Sequence, residues 1–433
     1  MDIQIGVEPD PRKFQDRPEL SPQLEDPQVM RTLFRQKRNA YVTEGYFICR
    51  RLRYNSQYKP IPDGSSAITS LAVSPEGAVY GATSGEQAHV FVFNPAPPFD
   101  TVAPLAALEG ETDCRRALVW EKENSVICGT RRSPGGKDGQ AQGTADVRPG
   151  SPQEGGSAAQ DWEGGALWRV TGLGFYADAV QEWPRGLGRA EKLCVPVKGE
   201  GVAALVIDRA RGRLYGLSDK TGEFYFYDLE KKSVEKRGSV DSTWLFSENL
   251  LLAPDGLVFA TAMGNRLVRY DPGADKLELL KETVPAYPGR AVYARIDSWV
   301  WEQRSRLFYV GDQADGFLWT LNPRTLETCL LGKPSDRIRI RALAAAKDGR
   351  IFGLAGQQGD MCQMFVYEPQ TRQLKNLGIP LAAVEERRYG FEFDSAATGP
   401  QGQIYFGESE RSSRLFIYFP AYAGAEPLPS TET

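Results

Sequence analysis

A strand-turn-strand phrase recurs along most of this chain and constrains its fold more than any other feature. It reads SPEGAVYGAT at Ser74 to Thr83, RARGRLYGLSD at Arg209 to Asp219, APDGLVFATA at Ala253 to Ala262, AKDGRIFGLAG at Ala346 to Gly356 and GPQGQIYFGE at Gly399 to Glu408. Each copy has a glycine-centred turn, a β-branched or aromatic run, and then small residues. A second aromatic run follows each copy: HVFVFNP (His89 to Pro95), FYFYDL (Phe224 to Leu229), LVRYDP (Leu267 to Pro272), MFVYEP (Met364 to Pro369) and LFIYFP (Leu415 to Pro420). SVICGT (Ser125 to Thr130) and RLFYVGD (Arg306 to Asp312) are less regular copies. Short strands recurring at roughly 40 to 50 residues predict an all-β protein, a β-propeller of four-stranded antiparallel blades.

Dividing the chain at these phrases predicts seven blades, at 66–107, 108–190, 191–239, 240–281, 282–334, 335–381 and 382–420. The last copy lacks a fourth strand of its own. YFICRRLRY at Tyr46 to Tyr54 is a strand without a repeat phrase, so it is expected to supply that strand and close the ring, leaving no open edge. The propeller then occupies 40–420. It is preceded by a charged, proline-rich segment, 1–39, with a short helix expected at Pro27 to Arg38, and followed by a tail, 421–433. Between the second and third strands of the second blade lies 131–165, rich in Gly, Ser, Pro, Gln and Asp with almost no large apolar residue before Trp162. That composition predicts a flexible insertion.

Composition bounds the partners. Lysine and arginine total 52 against 56 acidic residues, a formal net charge of −4, so no global basic field draws the chain to nucleic acid or an anionic membrane. The N-terminus, MDIQIGVEPDPRKF, has no apolar stretch of secretory type and no run reaches spanning length, which predicts a soluble, cytoplasmic protein. The six cysteines are scattered singly and read as reduced, largely buried thiols. The single histidine, His89, leaves no multi-histidine metal site, and no metal or cofactor is expected. GxxxxGK[ST], GxSxG and a strand-to-helix GxGxxG are all absent.

Propellers hold ligands at the mouth of the central channel, on the loops joining second to third strands and each blade to the next. The between-blade segments are rich in arginine: Arg116, Arg290, Arg339 and Arg388 join Trp244 as candidate ligand-binding residues. Guanidinium groups pair bidentately with carboxylate or sulfate and aromatic faces stack on sugars, so an anionic or carbohydrate ligand suits this set. The competing expectation is that these arginines pair with neighbouring acids such as Asp297, Asp336, Glu385 and Glu386 and tie blade to blade. Tyr293, Tyr389 and His89 are the candidate catalytic residues, able to exchange protons beside an arginine-bound carboxylate. Aligning the aromatic runs sets His89 in one column with Ala166, Glu223, Arg266, Phe317, Gln363 and Arg414, the wet end of the third strand.

The phrases SPEGAVYGAT and APDGLVFATA, each followed by an aromatic strand ending in NP or DP, resemble the repeats of bacterial seven-bladed propellers in the broad WD40-like, Kelch-like and gluconolactonase-like assemblage. The GH and WD dipeptides of true WD40 blades and the paired glycines of Kelch blades are absent. The resemblance implies the fold and a binding face and carries over no catalytic residue. Two functions follow as expectations. One is a binding module whose channel face takes an anionic or carbohydrate ligand or docks a protein partner. The other is a metal-independent polysaccharide lyase acting on uronate glycans, with Tyr or His as base and acid and Arg neutralising the carboxylate.

Overall fold

The turn of the repeated phrase is where local sequence dictates geometry most directly. In the copy at Ser74 the N–H of Ser74 bonds the carbonyl of Ala78 at 2.8 Å and the N–H of Gly77 bonds the carbonyl of Ser74 at 2.9 Å. The same pair of bonds recurs at Ala253 with Leu257 and Gly256, at Ala346 with Arg350 and Gly349, and at Gly399 with Gln403 and Gly402. The four glycines have φ of 95°, 95°, 92° and 97°, a conformation that any side chain resists. The small residues after the turn have another cause. Gly81, Gly216 and Gly353 lie opposite Phe91, Tyr225 and Phe365 in the strand register. A Cβ on Gly81 would sit 2.1 Å from the Phe91 ring, so the aromatic of the third strand occupies the space over the glycine of the second.

The structure, a computed structural model, describes residues 42, 44–52, 61–95, 101–132, 162–172, 188–240, 246–356, 359, 361–382, 388–410 and 412–421. The 1–39 segment with its expected helix, nearly all of the 421–433 tail, and most of the 131–165 insertion lie outside these residues. The described chain is all-β. Strand β1 (Tyr46–Arg51) precedes a succession of antiparallel meanders. The first comprises β2 (Ala67–Val73), β3 (Val79–Ser84), β4 (His89–Asn94) and β5 (Thr101–Ala107); the second β6 (Asp113–Trp120), β7 (Ser125–Arg131), β8 (Leu167–Thr171) and β9 (Arg189–Cys194). A single register pair, Ser84 with Asp113, joins these two into one sheet. Four separate four-stranded sheets follow. They are β10 (Val202–Asp208) to β13 (Ser233–Ser239), with β11 (Arg213–Ser218) and β12 (Glu223–Asp228) between; and β14 (Leu251–Leu252) to β17 (Lys276–Thr283), with β15 (Val258–Ala262) and β16 (Arg266–Asp271). Next come β18 (Ile296–Glu302) to β21 (Thr328–Gly332), with β19 (Leu307–Asp312) and β20 (Leu318–Leu321); and β22 (Ile340–Ala345) to β25 (Gln373–Gly378), with β23 (Ile351–Ala355) and β24 (Gln363–Glu368).

The final sheet draws on both ends of the described chain. It contains β26 (Leu381–Ala382), β27 (Arg388–Tyr389), β28 (Phe393–Thr398), β29 (Ile404–Glu408) and β30 (Arg414–Phe419), and β1 pairs antiparallel with β30 through six consecutive residues. β26 then adds to the free edge of β1 in parallel, through Phe47 and Ala382, an edge pairing that the repeat pattern does not announce. The strand pattern explains what lies between the sheets. Most second and third strands are buried on both faces, as in VYGAT of β3 and FYFYD of β12, because neighbouring sheets pack on either side, while β8 and β16 each leave an arginine partly exposed. Fourth strands face solvent on one side and alternate, as in KLELLKET of β17. Aromatic contacts join one sheet to the next: Phe224 with Tyr270, Phe259 with Phe308, Tyr309 with Tyr367, Phe352 with Tyr418, and Phe93 with Tyr405. First strands neighbour one another as well, β2 beside β6, β6 beside β10, β10 beside β14, β18 beside β22, β22 beside β28, and β28 beside β2.

Candidate functional site

The first strands carry a device that the repeated phrase conceals. Where six of them pair with their second strands the register slips by one residue, skipping Thr69, Arg115, Ala203, Asp297, Arg341 and Asp394, whereas β14 pairs with β15 without a slip. A bulge of this kind re-aims the side chain it carries. Glu248, five residues before the turn at Ala253, holds the place that Thr69, Arg341 and Asp394 hold before Ser74, Ala346 and Gly399. Five of these seven positions are charged, and the structure links them.

The linkage runs from sheet to sheet. Glu248 meets Arg131 at 3.2 Å, and Arg131 meets Asp113 at 2.8 Å. Asp113 meets Arg115 at 3.0 Å, and Arg115 reaches Asp394 on β28 at 3.5 Å. Asp394 also pairs with Arg341 on β22. Two residues before it, Arg339 grips Asp297 of β18 bidentately at 2.8 and 2.5 Å. The Asn249 side chain donates to the Asp297 carbonyl. Arg116 joins by donating to the Arg115 carbonyl at 2.8 Å, to the Glu248 carbonyl at 3.2 Å and to the Asn249 side-chain oxygen.

Electrostatics follow from this packing. Burial favours neutral Asp113, yet Arg115 and Arg131 overcome it and hold the carboxyl well below the usual range. Arg131 above all brings Glu248 down to about 2. Glu248 has charged neighbours while 49% of its side-chain surface stays open to water. Burial, and then repulsion from Arg115, lowers Arg116 to about 10. Glu392, just before β28, is pushed up to about 7, mainly by burial.

The residues singled out from the sequence divide among four places. Arg116 and Arg339 belong to the axial chain. Arg388 and Tyr389 form β27 and are buried, with 3% and 2% exposure. Arg388 contacts Glu408 at 2.9 Å and the Ser412 carbonyl at 2.8 Å. His89 opens β4, is half-buried and holds its Nδ1 3.0 Å from the Gln87 carbonyl oxygen. Burial lowers its pKa, so the ring is neutral at physiological pH. Glu223, Arg266, Gln363 and Arg414 also open their third strands, but Gln363 and Arg414, like Ala166 and Phe317 of the same column, are buried, so the column is not a wet end throughout. Trp244 lies outside the described residues, as do Glu385 and Glu386. Among the described residues no three His, Cys, Asp or Glu side chains converge as a metal site.

Arg290 and Tyr293 occupy the fourth place, the segment leading into β18. The Arg290 guanidinium contacts Asp315 at 2.5 Å and lies 5.8 Å from the Tyr293 ring centre. Tyr287 packs against Phe317, with ring centres 4.6 Å apart, and its N–H bonds Asp315. Backbone of Arg337 and Ile338 presses on Gly316 in the same loop. Tyr287, Tyr293 and Ile338, exposed by 45%, 50% and 39%, thus gather around the Asp312 to Phe317 loop. That loop joins second to third strand on the face where the axial chain lies. Sequence reasoning missed Asp394, although the spacing of five residues before a repeat turn would have found it.

Comparison with known proteins adds the fold alone. No family model and no curated protein matches the sequence. Among solved structures, the extracellular domain of a proposed one component system from B. thetaiotaomicron superposes with a TM-score of 0.54 at 12% identity, over 85% of this chain and 39% of that one. The chain therefore spans well under half of that relative. The RRP9 WD40 repeats (TM-score 0.52, 12% identity, 88% and 100% covered) and U3-55K (0.51, 12%, 86% and 98%) are similar over nearly their whole length. The fold is of the WD40-like propeller class. No helix among the described residues is long and apolar enough to cross a membrane.

Proposed function

We propose that this protein is a seven-bladed propeller, closed by β1 against β30, that acts as a scaffold docking a protein partner on the face bearing the axial charge chain. The observation that carries the reading is the exposed Tyr287, Tyr293 and Ile338 patch beside Arg290. Tyrosine and arginine beside an apolar side chain are the composition of interface hot spots, and nothing among the described residues covers them. WD40-like neighbours, as binding modules by fold, agree with it. Six free thiols support a reducing, cytoplasmic setting.

The lyase reading has less support. It needs paired arginines free to neutralise a uronate beside an accessible tyrosine, whereas Arg339 is engaged by Asp297 and Arg388 with Tyr389 is buried. Only Arg290 and Tyr293 stand together at the surface.

The test compares the full chain with a Tyr287→Ala/Tyr293→Ala variant of matching circular dichroism, using cross-linking in cells and mass spectrometry. A partner that cross-links to this face and is lost from the variant supports the scaffold. Partners unaffected by the variant rule out this face. Unsaturated uronate released from a glycan panel, with release abolished in Tyr293→Phe, would replace the scaffold with the lyase.

A further inference from the structure

The outer edges of the sheets are guarded by different means, and β21 is the exception. The fourth strands β9 (RAEKLC), β13 (SVEKRGS), β17 (KLELLKET) and β25 (QLKNLG) each place charge at the edge. β5 (TVAPLAA) is uncharged, but it contains a proline and its Leu105 carbonyl accepts the N–H of Gly188. The final sheet ends in β27, whose two residues are buried. β21 (TCLLG) ends its sheet with neither charge nor proline. Among the described residues it shares backbone hydrogen bonds only with β20, and Cys329 and Leu330 are exposed. Its register slip against β20 recurs in β13, β17 and β25, so the slip belongs to the fold and is no guard peculiar to this edge.

The flanking charges indicate what this edge fits. Glu327 precedes β21 and Lys333 follows it, and neither side chain forms an ion pair among the described residues. An antiparallel copy of the same strand, centred on Leu330, sets Glu327 of each copy against Lys333 of the other. Identical edges paired in this way are related by a two-fold axis, so a single contact satisfies both and closes. From the unguarded edge and this charge complementarity, we propose that β21 pairs antiparallel with β21 of a second copy, joining two propellers edge to edge. A contact built on one five-residue strand falls short of the roughly 1,000 Å² of a stable interface, so the dimer is weak, with a dissociation constant in the micromolar range. The pairing does not rest on the docking face at Tyr287 and Tyr293.

The test is sedimentation velocity of the full-length, reduced protein from about 1 to about 200 µM. A reversible monomer–dimer equilibrium is expected. Leu330→Lys sets like charges together at the centre of the pairing and should weaken the dimer roughly tenfold or more. Glu327→Lys sets lysine against lysine at both ends and should weaken it several-fold, and Glu327→Lys/Lys333→Glu, which restores both pairs, should recover it. All three positions lie at the surface edge, and circular dichroism checks that the variants fold. In the dimer the two Cys329 side chains share a face of the joined sheet, so bismaleimidoethane should link them covalently, and Cys329→Ser should abolish the link. A monomer at every concentration overturns the proposal; a different protein cross-linked to Cys329 in cells would then be the occupant of this edge. A dimer unchanged by Leu330→Lys, or lost in Tyr287→Ala/Tyr293→Ala instead, places the contact elsewhere and overturns it too.

Discussion

At the scale of single residues, the most consequential groups are charges that the fold has withdrawn from water. Arg388 and Glu408 have side chains 3% and 0% exposed, in contact at 2.9 Å. Removing one partner strands the other, so Arg388→Met is expected to cost about 3–5 kcal/mol in urea unfolding, while Arg388→Met/Glu408→Leu recovers most of the loss. A single-variant cost within the range of surface pairs, roughly 0–1 kcal/mol, would mean that water reaches the pair. Glu392 makes a different prediction. Its folded pKa of about 7 lies above the ordinary glutamate value near 4.3, so the folded protein keeps a proton that the unfolded chain releases. Stability from this group therefore falls as pH rises from the ordinary range to about 7 and is level above it. Melting temperatures at about pH 5 and pH 8 should differ less in Glu392→Gln than in the parent. Glu248, brought down to about 2, contributes in the opposite sense: its stabilisation is present above the ordinary glutamate range and lost as pH falls through about 2.

Elements show how much of the fold was legible. The repeat turn was readable because its glycine answers to a local constraint, a φ near 95° that needs no knowledge of the rest of the chain. Gly81 was readable only as a small residue. Its partner across the strands, Phe91, shows why, and Gly81→Ala is expected to destabilise by more than an ordinary helix or strand substitution because Cβ and ring would overlap. Strand β1 was readable as an unattached strand, and Phe47 ties it down among Phe406, Phe416 and Tyr418. Phe47→Ala should cost about 3–5 kcal/mol and speed proteolysis of both chain ends together, measured by pulse proteolysis. Cleavage confined to the N-terminal end would argue against the β1 to β30 pairing as a stability element. The β26 and β27 pairings were not legible, since two-residue strands have no periodicity and depend on an edge supplied from Phe47, hundreds of residues away in sequence. Charged fourth strands such as SVEKRGS in β13 and KLELLKET in β17 keep their own edges from pairing with other chains.

For the whole molecule, the axial chain is the feature that makes separate sheets one object. Asp394 of β28 serves Arg115 of β6 and Arg341 of β22, so one carboxylate ties three sheets. Asp394→Asn should therefore lower the urea midpoint clearly more than Glu123→Gln, whose partner Arg169 retains Glu191 at the surface. Equal effects would show the axial chain to be as solvent-screened as the surface. The amino-acid sequence alone determined the all-β repeat, its turns and the arginine-rich connections, because each follows from φ limits, alternation or composition within a few residues. Only the tertiary structure decided which arginines meet which acids, and that Arg388 is buried while Tyr293 is exposed. Ion pairing depends on distances between residues far apart in the chain, and a one-residue bulge in six first strands re-aims the side chain it carries.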